Sequence, residues 1–351
     1  MYNHARPIMK AIYFKEHGGL DVLQYGDMPD PQLARGWVLV RVRAAALNHV
    51  DVFVRRGWAG LKLKLPHILG SDGAGEVAAL GEGVANWKIG QRVVIDASIC
   101  MEEDEFTHLG QDNLCKKWEL LGETIAGTYA EYVAVPAVNL LEIPADFPFD
   151  MAAAAALVYL TAWHSLVTRG NVQKNETILV VGASGGVNTA AIQIAKHLGA
   201  QVFVVGSDKG KLKLAKSLGA DHLIDRSQDS DWSKAAYLLT NKRGCDVVID
   251  NVGITIPQSL RALRKGGRLL TVGSTAGAIF QFDNRYMFHK HLSILGSTMG
   301  TRKDFAEVMG LVFAGKLAPV IDRSYPLREV RKAHKHLEAG EQMGKIVLEI
   351  D

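Results

Sequence analysis

The segment from Thr177 to Ala200, T-I-L-V-V-G-A-S-G-G-V-N-T-A-A-I-Q-I-A-K-H-L-G-A, admits few folds. Ile178 to Val181 is a short apolar run with β-branched residues, the pattern of a buried parallel strand. Gly182-Ala183-Ser184-Gly185-Gly186 makes a glycine-rich turn. Val187, Ala190, Ala191, Ile194, Ala195 and Leu198 then recur at helical spacing and share one face. Strand, turn and helix in this order present the N–H groups of a helix start to a pyrophosphate. Gly182 and Gly185 fit G-x-G-x-x-G, but Asn188 stands where a third glycine would bring helix and strand together. The contacts expected here are Gly182, Ser184, Gly185, Gly186 and Val187.

The next hundred residues repeat the theme. Gln201 to Val205 reads as a second strand, His222 to Ile224 as a third, Asp246 to Asp250 as a fourth, Arg268 to Val272 as a fifth and Leu292 to Leu295 as a sixth. A short helix fits Lys211 to Leu218. Strands alternating with helices imply right-handed βαβ units, so the class is α/β with a doubly wound parallel sheet and a dinucleotide site. An Asp or Glu ending the second strand would bind a ribose 2′-hydroxyl. Gly206 stands there instead, with Ser207 and Lys211 close behind and Asp208 one residue late. A hydroxyl and a positive charge suit a 2′-phosphate, so NADP(H) is expected ahead of NAD(H). The alternative is a solvated turn whose lysines contact nothing. Val272, Gly273 and Ser274, at the C-terminal end of the fifth strand, lie where such a sheet binds the nicotinamide.

At 351 residues two domains are expected, each with its own core. Forty Lys and Arg against 37 Asp and Glu leave a net charge of +3, too weak to argue for nucleic acid or a membrane surface. No apolar run approaches a membrane span and the start lacks a signal-peptide core. The three cysteines, Cys100, Cys115 and Cys245, give no paired framework, so a reducing cytoplasm is the expectation.

Met9 to Phe14 reads as the first strand, after an extension covering residues 1–8. Val38 to Ala44, Gln91 to Ile95 and Tyr129 to Val135 are further strands in a glycine-punctuated, turn-rich β region. Met151 to Ala156 is a strong helix former and marks a boundary. Two helical segments and a last strand, Lys345 to Ile350, close the chain. That strand is expected to return to the first domain, which gives domains of 1–155 plus 298–351 and of 156–297.

With Ala45-Ala46-Leu47-Asn48-His49-Val50-Asp51, Pro66-His67-Ile68-Leu69-Gly70-Ser71-Asp72-Gly73-Ala74-Gly75, Gly127-Thr128-Tyr129-Ala130-Glu131-Tyr132, Leu160-Thr161-Ala162-Trp163 and Leu292 to Gly300, the chain resembles the medium-chain dehydrogenase/reductase superfamily. The resemblance implies a Rossmann domain inserted in a mostly-β, GroES-like catalytic domain. It also implies a small-molecule oxidoreductase and a homodimer or homotetramer joined at the outer edge of the Rossmann sheet. Thr161, Gly296 and Ser297 match cofactor contacts, and His49 matches a basic pyrophosphate contact.

The same resemblance locates the zinc ligands of alcohol dehydrogenases, and here Asn48, Ser71-Asp72 and Leu157 stand at those positions. They do not supply three deprotonated ligands, so no catalytic zinc is expected. A site rebuilt from His49, His67, Asp51 and Asp72 is the alternative. In the lobe that would hold a structural zinc only Cys100 and Cys115 remain, with Glu103 and His108 as further candidate ligands; a metal-free lobe is expected. Without a Lewis acid, hydride transfer needs an acceptor that is already polarised, such as a quinone, enone, enal or enoyl thioester. Asn48 is the candidate donor to substrate or ribose, or the cap of a helix starting near His49. Asp51 is expected to orient His49 or a turn. Tyr159, Tyr129, His49 and water are the candidate proton donors, and Trp58 and Trp163 either wall a pocket or fill a core. Two rival readings are an alcohol or aldehyde dehydrogenase with an unusual zinc site, and a non-catalytic NADPH-binding protein.

Overall fold

The computed structural model describes residues 8–351 except Met101, so the expected N-terminal extension lies almost wholly outside the described residues. Ten strands come first: β1 (Ile8–Phe14), β2 (Gln24–Pro29), β3 (Trp37–Ala46), β4 (His67–Ile68), β5 (Asp72–Leu80), β6 (Arg92–Ile95), β7 (Ser98–Cys100), β8 (Trp118–Leu120), β9 (Tyr132–Pro136) and β10 (Leu140–Glu142). The next six are β11 (Thr177–Val181), β12 (Gln201–Gly206), β13 (His222–Asp225), β14 (Cys245–Asp250), β15 (Leu263–Thr271) and β16 (Ser293–Gly296). Two more, β17 (Ile321–Pro326) and β18 (Lys345–Glu349), lie late in the chain.

Two compact units result: one holds the chain up to Leu157 with Thr301–Met309 and Ile321–Asp351, the other Val158–Gly300 with Gly310–Val320. In the second unit the six strands are all parallel, in the order β13-β12-β11-β14-β15-β16. The order reverses between β11 and β14, which opens a crevice at their C-terminal ends. Buried Val, Ile and Leu fill β11 and β14 on both faces, as a sheet covered by helices on each side requires. β15 starts at Leu263, five residues before the expected start. Gly266, at φ +69°, and Gly267 are carried inside it beside a register shift in the β14 pairing.

The first unit is built on a mixed sheet, β10-β6-β5-β3-β18-β17, with β9 also on β3. β9 begins later than Tyr129 because Tyr129 to Glu131 bond to β1 instead: Ile12 donates to Tyr129 O at 2.8 Å and Glu131 to Lys10 O at 3.0 Å. A small hairpin, β7–β8, carries the lobe between Cys100 and Cys115.

Two expectations need correction. Cys100 and Cys115 form a disulfide, Cα to Cα 6.1 Å, which leaves Cys245 as the free cysteine. The cysteine count therefore no longer argues for a reducing compartment. And one helical stretch, Phe149–Arg169, is long and apolar enough to cross a bilayer, although the protein itself buries most of it.

Candidate functional site

The second unit holds the first group of candidate residues. The turn between β11 and helix α1 (Gly186–His197) carries Gly182 at φ +110°, a conformation that a side chain rarely allows. Asn188, in place of the third glycine, donates to Val181 O at 3.2 Å and so ties the helix to the strand it leaves. Val181 to Gly185 line a cleft of about 180 Å³ with Val205, Gly206, Ser207, Lys211, Arg226 and Val252. A Cβ on Gly206 would lie 2.8 Å from Leu212 Cδ2 and 3.0 Å from that of Ala183, so a side chain at the end of β12 would have to push these neighbours aside. Asp208 caps helix α2 (Lys209–Ser217) by accepting from Lys211 N at 2.8 Å. Its carboxylate serves the helix, and no Asp or Glu lines the cleft.

Arg226 escaped the sequence reading. Its backbone N–H donates to Gly206 O at 2.8 Å, and β12–β13 pairing sets Gly206 opposite Asp225. The side chain is exposed and also borders a neighbouring cavity of about 390 Å³, with Ser207, Ser230, Trp232, Ile254, Thr255 and Gln258. Parallel-sheet register was the signal available: the residue after β13 must flank the end of β12.

At the next strand ends, Val272 N donates to Asn251 Oδ1 at 3.2 Å, and Thr275 N to Asn251 O at 3.1 Å. Val272, Gly273 and Ser274 are thus held against β14. Asn251 Nδ2 and Ser297 Oγ are buried without a hydrogen-bond partner, two orphaned groups at the C-terminal ends of β14 and β16. Gly296 is exposed on the outer strand, and Thr161 is buried, its hydroxyl 3.9 Å from Met299 Sδ. The Tyr159 hydroxyl accepts from Gln193 at 2.8 Å, and burial raises its pKa. Trp163 is buried and Trp58 is 46% exposed.

The first unit holds the second group. β3 ends at Ala46 and helix α3 (His49–Arg56) begins after Asn48, which takes the N-cap position. The capping contact that the structure settles is the reverse one, Asn48 N donating to Asp51 Oδ2 at 2.8 Å. Asp51 also receives Gly70 N at 3.2 Å and the Tyr129 hydroxyl at 2.8 Å. Burial lifts its pKa to about 6 against these bonds, and burial with the nearby Asp51 charge lifts Tyr129 well above its usual value.

Ala46 pairs with Asp72 of β5 on one side and with Val347 of β18 on the other. Lys345, two residues before Val347, therefore reaches past the end of β3. Its ammonium donates to Asn48 Oδ1 at 2.6 Å, Leu47 O at 2.7 Å and Asp72 Oδ2 at 2.8 Å. Asn48 Nδ2 donates to the same Asp72 oxygen at 2.9 Å, and Leu157 N donates to the other at 2.7 Å. Lys345 is 4% exposed, Asp72 0% and Asn48 7%. Half-buried His49 has its pKa lowered by burial and by Lys345, so its imidazole is neutral at pH 7.

The other candidates do not converge on a metal. His67 Nε2 bonds Gly122 O at 3.1 Å, away from Asp72. The disulfide consumes both sulfurs of the lobe, where Glu103 and His108 are largely exposed. Among the described residues no three His, Cys, Asp or Glu side chains cluster closely enough to ligate one ion.

Known proteins share this architecture. The zinc-binding dehydrogenase family model matches residues 186–314, and the alcohol dehydrogenase GroES-like domain model matches 34–145. An NAD-dependent alcohol dehydrogenase of Sulfolobus acidocaldarius is 32% identical over 97% of this chain and 100% of its own. An acryloyl-coenzyme A reductase of Metallosphaera sedula is 31% identical over 97% and 99%, and the quinone oxidoreductase of Homo sapiens 30% over 97% and 98%. The solved structure of an NAD-dependent alcohol dehydrogenase superposes with a TM-score of 0.93 at 39% identity, covering 98% of this chain and all of that one. With both domains matched and relatives aligned from end to end, the chain belongs to the medium-chain dehydrogenase/reductase superfamily and is one of its pyridine-nucleotide oxidoreductases.

Proposed function

We propose that this protein is an NADP(H)-preferring, metal-independent reductase of activated double bonds or quinones. The observation that carries the reading is the chemistry around Asn48: one amide oxygen, one carboxylate and one backbone carbonyl, all turned toward an ammonium. Such groups do not ligate zinc as a catalytic site requires. An acceptor that carries its own conjugated oxygen needs no Lewis acid. Similarity to an acryloyl-coenzyme A reductase and a quinone oxidoreductase supports this acceptor class.

For the cofactor, Lys211 and Arg226 border one cleft with Ser207, Gly206 takes the place of an acid, and no carboxylate lines the wall. A 2′-phosphate would find two cations and a hydroxyl there. Asn251 Nδ2 and Ser297 Oγ are free to bond the bound nucleotide, and the Gly182 turn its pyrophosphate.

NADPH, when bound, would supply a hydride, which a conjugated acceptor would take at its β-carbon as its π electrons move onto its oxygen and its α-carbon takes up a proton. Asn48 is proposed to hold the substrate or the ribose with its amide. Tyr129 is committed to Asp51 and Tyr159 to Gln193, and both are poor acids. The proton is therefore assigned to water admitted beside His49, with Asp51 fixing the start of α3. The open edge of β16 is proposed as the seam of a homodimer.

The similar alcohol dehydrogenases favour a second reading, a zinc-dependent alcohol or aldehyde dehydrogenase. Steady-state assays with NADPH and NADH against a quinone, an enone, an enoyl thioester and an aldehyde, beside elemental analysis, separate the two. NADPH-dependent turnover of the conjugated acceptors by metal-free protein is expected. Chelator-sensitive aldehyde reduction with stoichiometric zinc would overturn the proposal. Arg226→Ala should raise the KM for NADPH about tenfold or more and leave that for NADH unchanged, since a hydrogen bond to a charged group contributes about 1.5–3 kcal/mol.

A further inference from the structure

The match to a zinc-binding dehydrogenase implies a metal, and the residues present do not fit one. A catalytic zinc takes three deprotonated Cys, His or carboxylate ligands. The positions that would supply them hold an amide at Asn48, a neutral hydroxyl at Ser71 and an isobutyl group at Leu157. Asp72 is the carboxylate that meets these side chains, and both its oxygens are already taken, by Lys345, Asn48 and the Leu157 N–H. Asp51, next to it, is taken by the N–H groups of Asn48 and Gly70 and by the Tyr129 hydroxyl.

An ammonium has three N–H donors and no acceptor. Lys345 places all three, on Asn48 Oδ1, Leu47 O and Asp72 Oδ2, at 2.6–2.8 Å. The ammonium is paired directly with one carboxylate, Asp72, and offsets the nearby charge of Asp51 as well, and every polar group of the cation is satisfied. A divalent ion added here would meet the ammonium, beside two carboxylates whose oxygens are already committed to other donors. The contacts also orient Asn48. Its Oδ1 accepts from Lys345, so the amide nitrogen faces Asp72 and keeps its second hydrogen only weakly engaged, 3.4 Å from Ala46 O.

We propose that Lys345 is the resident cation of this pocket: its ammonium takes the place in the charge balance that a catalytic zinc would take, and it fixes the Asn48 amide with oxygen toward the ammonium and one N–H hydrogen only weakly engaged. Lys345 is in this sense a positioning residue. The effect on Asn48 rests on the reading of Asn48 as a substrate or ribose donor; the replacement of the metal does not.

The test is chemical rescue of Lys345→Ala in the full chain. Propylammonium matches the missing side chain, tetramethylammonium carries the same charge without N–H groups, and zinc chloride offers the metal. Melting midpoint, retained zinc after gel filtration, and kcat with NADPH and an enone are read for each. The variant should melt roughly 10 °C lower and lose about tenfold in kcat with KM little changed, less than the ~10²-fold cost of losing a direct oxyanion donor. Propylammonium should recover part of both, tetramethylammonium neither, and wild type should retain no zinc. Equal effects of the two ammonium salts, zinc retained by the wild type, or full restoration of the variant by one zinc would each overturn the proposal.

Should Lys345→Ala fail to fold, the neutral pair Lys345→Met with Asp72→Asn removes both charges. It should fold and retain no zinc, and its kcat should fall about tenfold. Wild-type kcat in that variant would overturn the positioning role. If the wild type reduces no conjugated acceptor, the proposed function has failed, and the melting and zinc measurements still decide the place of Lys345.

Discussion

Asp72 and Asp246 are both buried, at 0% and 2% exposure, and both are neutralised by a cation. Asp246, in β14, is met by Arg243 three residues earlier and by Arg264, and it accepts Thr177 N at 2.8 Å. The two arginine side chains are 53% and 27% exposed, so water shares their charge. Among the described residues Asp72 is met by Lys345 alone, 4% exposed and brought from 273 residues away. The first arrangement ties loop to strand and tolerates change. The second is sealed, and a sealed pair offsets its desolvation only if each donor and acceptor is used. Asp246 thus sits in a local, half-wet charge network, and Asp72 in a dry, long-range pair at the candidate site.

Charge removal should separate the two most sharply. Asp72→Asn leaves a buried ammonium without its hydrogen-bonded anion and should lower stability by about 3–5 kcal/mol in urea denaturation. Asp246→Asn leaves two arginines that can turn to solvent, and about 1–2 kcal/mol is expected. Equal losses would break the distinction.

Acidity gives a second contrast, with opposite signs. Burial raises Asp51 to about 6 and Asp96 to about 7, so below those values the folded chain holds protons that the unfolded chain, with carboxylates near 3.8, releases. Stability should therefore fall by about 3 kcal/mol per group as pH rises from 4 to 7. Asp51→Asn or Asp96→Asn should remove its own share of that slope. Asp246 runs the other way. Burial opposes its ionisation, but Arg243, Thr177 N–H and Arg264 outweigh burial and hold it at about 2. Its contribution, about 2 kcal/mol, is present above pH 4 and lost as pH falls toward 2. Denaturation across pH 2–8 measures both slopes. The smallest effect is expected at Asp208: Asp208→Ala should cost about 1 kcal/mol as a lost cap and leave the NADPH to NADH ratio unchanged. A shift in that ratio would return Asp208 to the cofactor site.

The two regions also differ in how far the sequence reveals them. β11, the Gly182 turn and the helix after it are contiguous, and a period of 3.6 behind an apolar run is visible in one window. Gly206, Ser207 and Lys211 are legible for the same reason. Arg226 is not, because its place beside Gly206 comes from strand pairing rather than spacing. The Asn48–Asp72–Lys345 cradle is less legible still. Asn48 and Asp72 stand out by what they replace, but nothing near Lys345 shows that β18 lies against β3 with two residues to spare. The Cys100–Cys115 bond was hidden by arithmetic: an odd count excludes complete pairing, not one pair.

The position of β18 has a consequence for the order in which the protein is made. Asn48 and Asp72 leave the ribosome early, while the amine that neutralises Asp72 emerges only after nearly three hundred more residues, the whole nucleotide-binding unit among them. Until then the Ala44–Ala46 end of β3, beyond its pairing with β9, lacks a neighbour on one side, and the ammonium that pairs with Asp72 is missing. The inserted unit, whose strands pair only among themselves, can reach its native sheet while its host is still open. The Asn48–Asp72–Lys345 pocket thus closes late, and a nascent chain halted before residue 345 would hold a finished parallel sheet and an uncompensated carboxylate in its first unit.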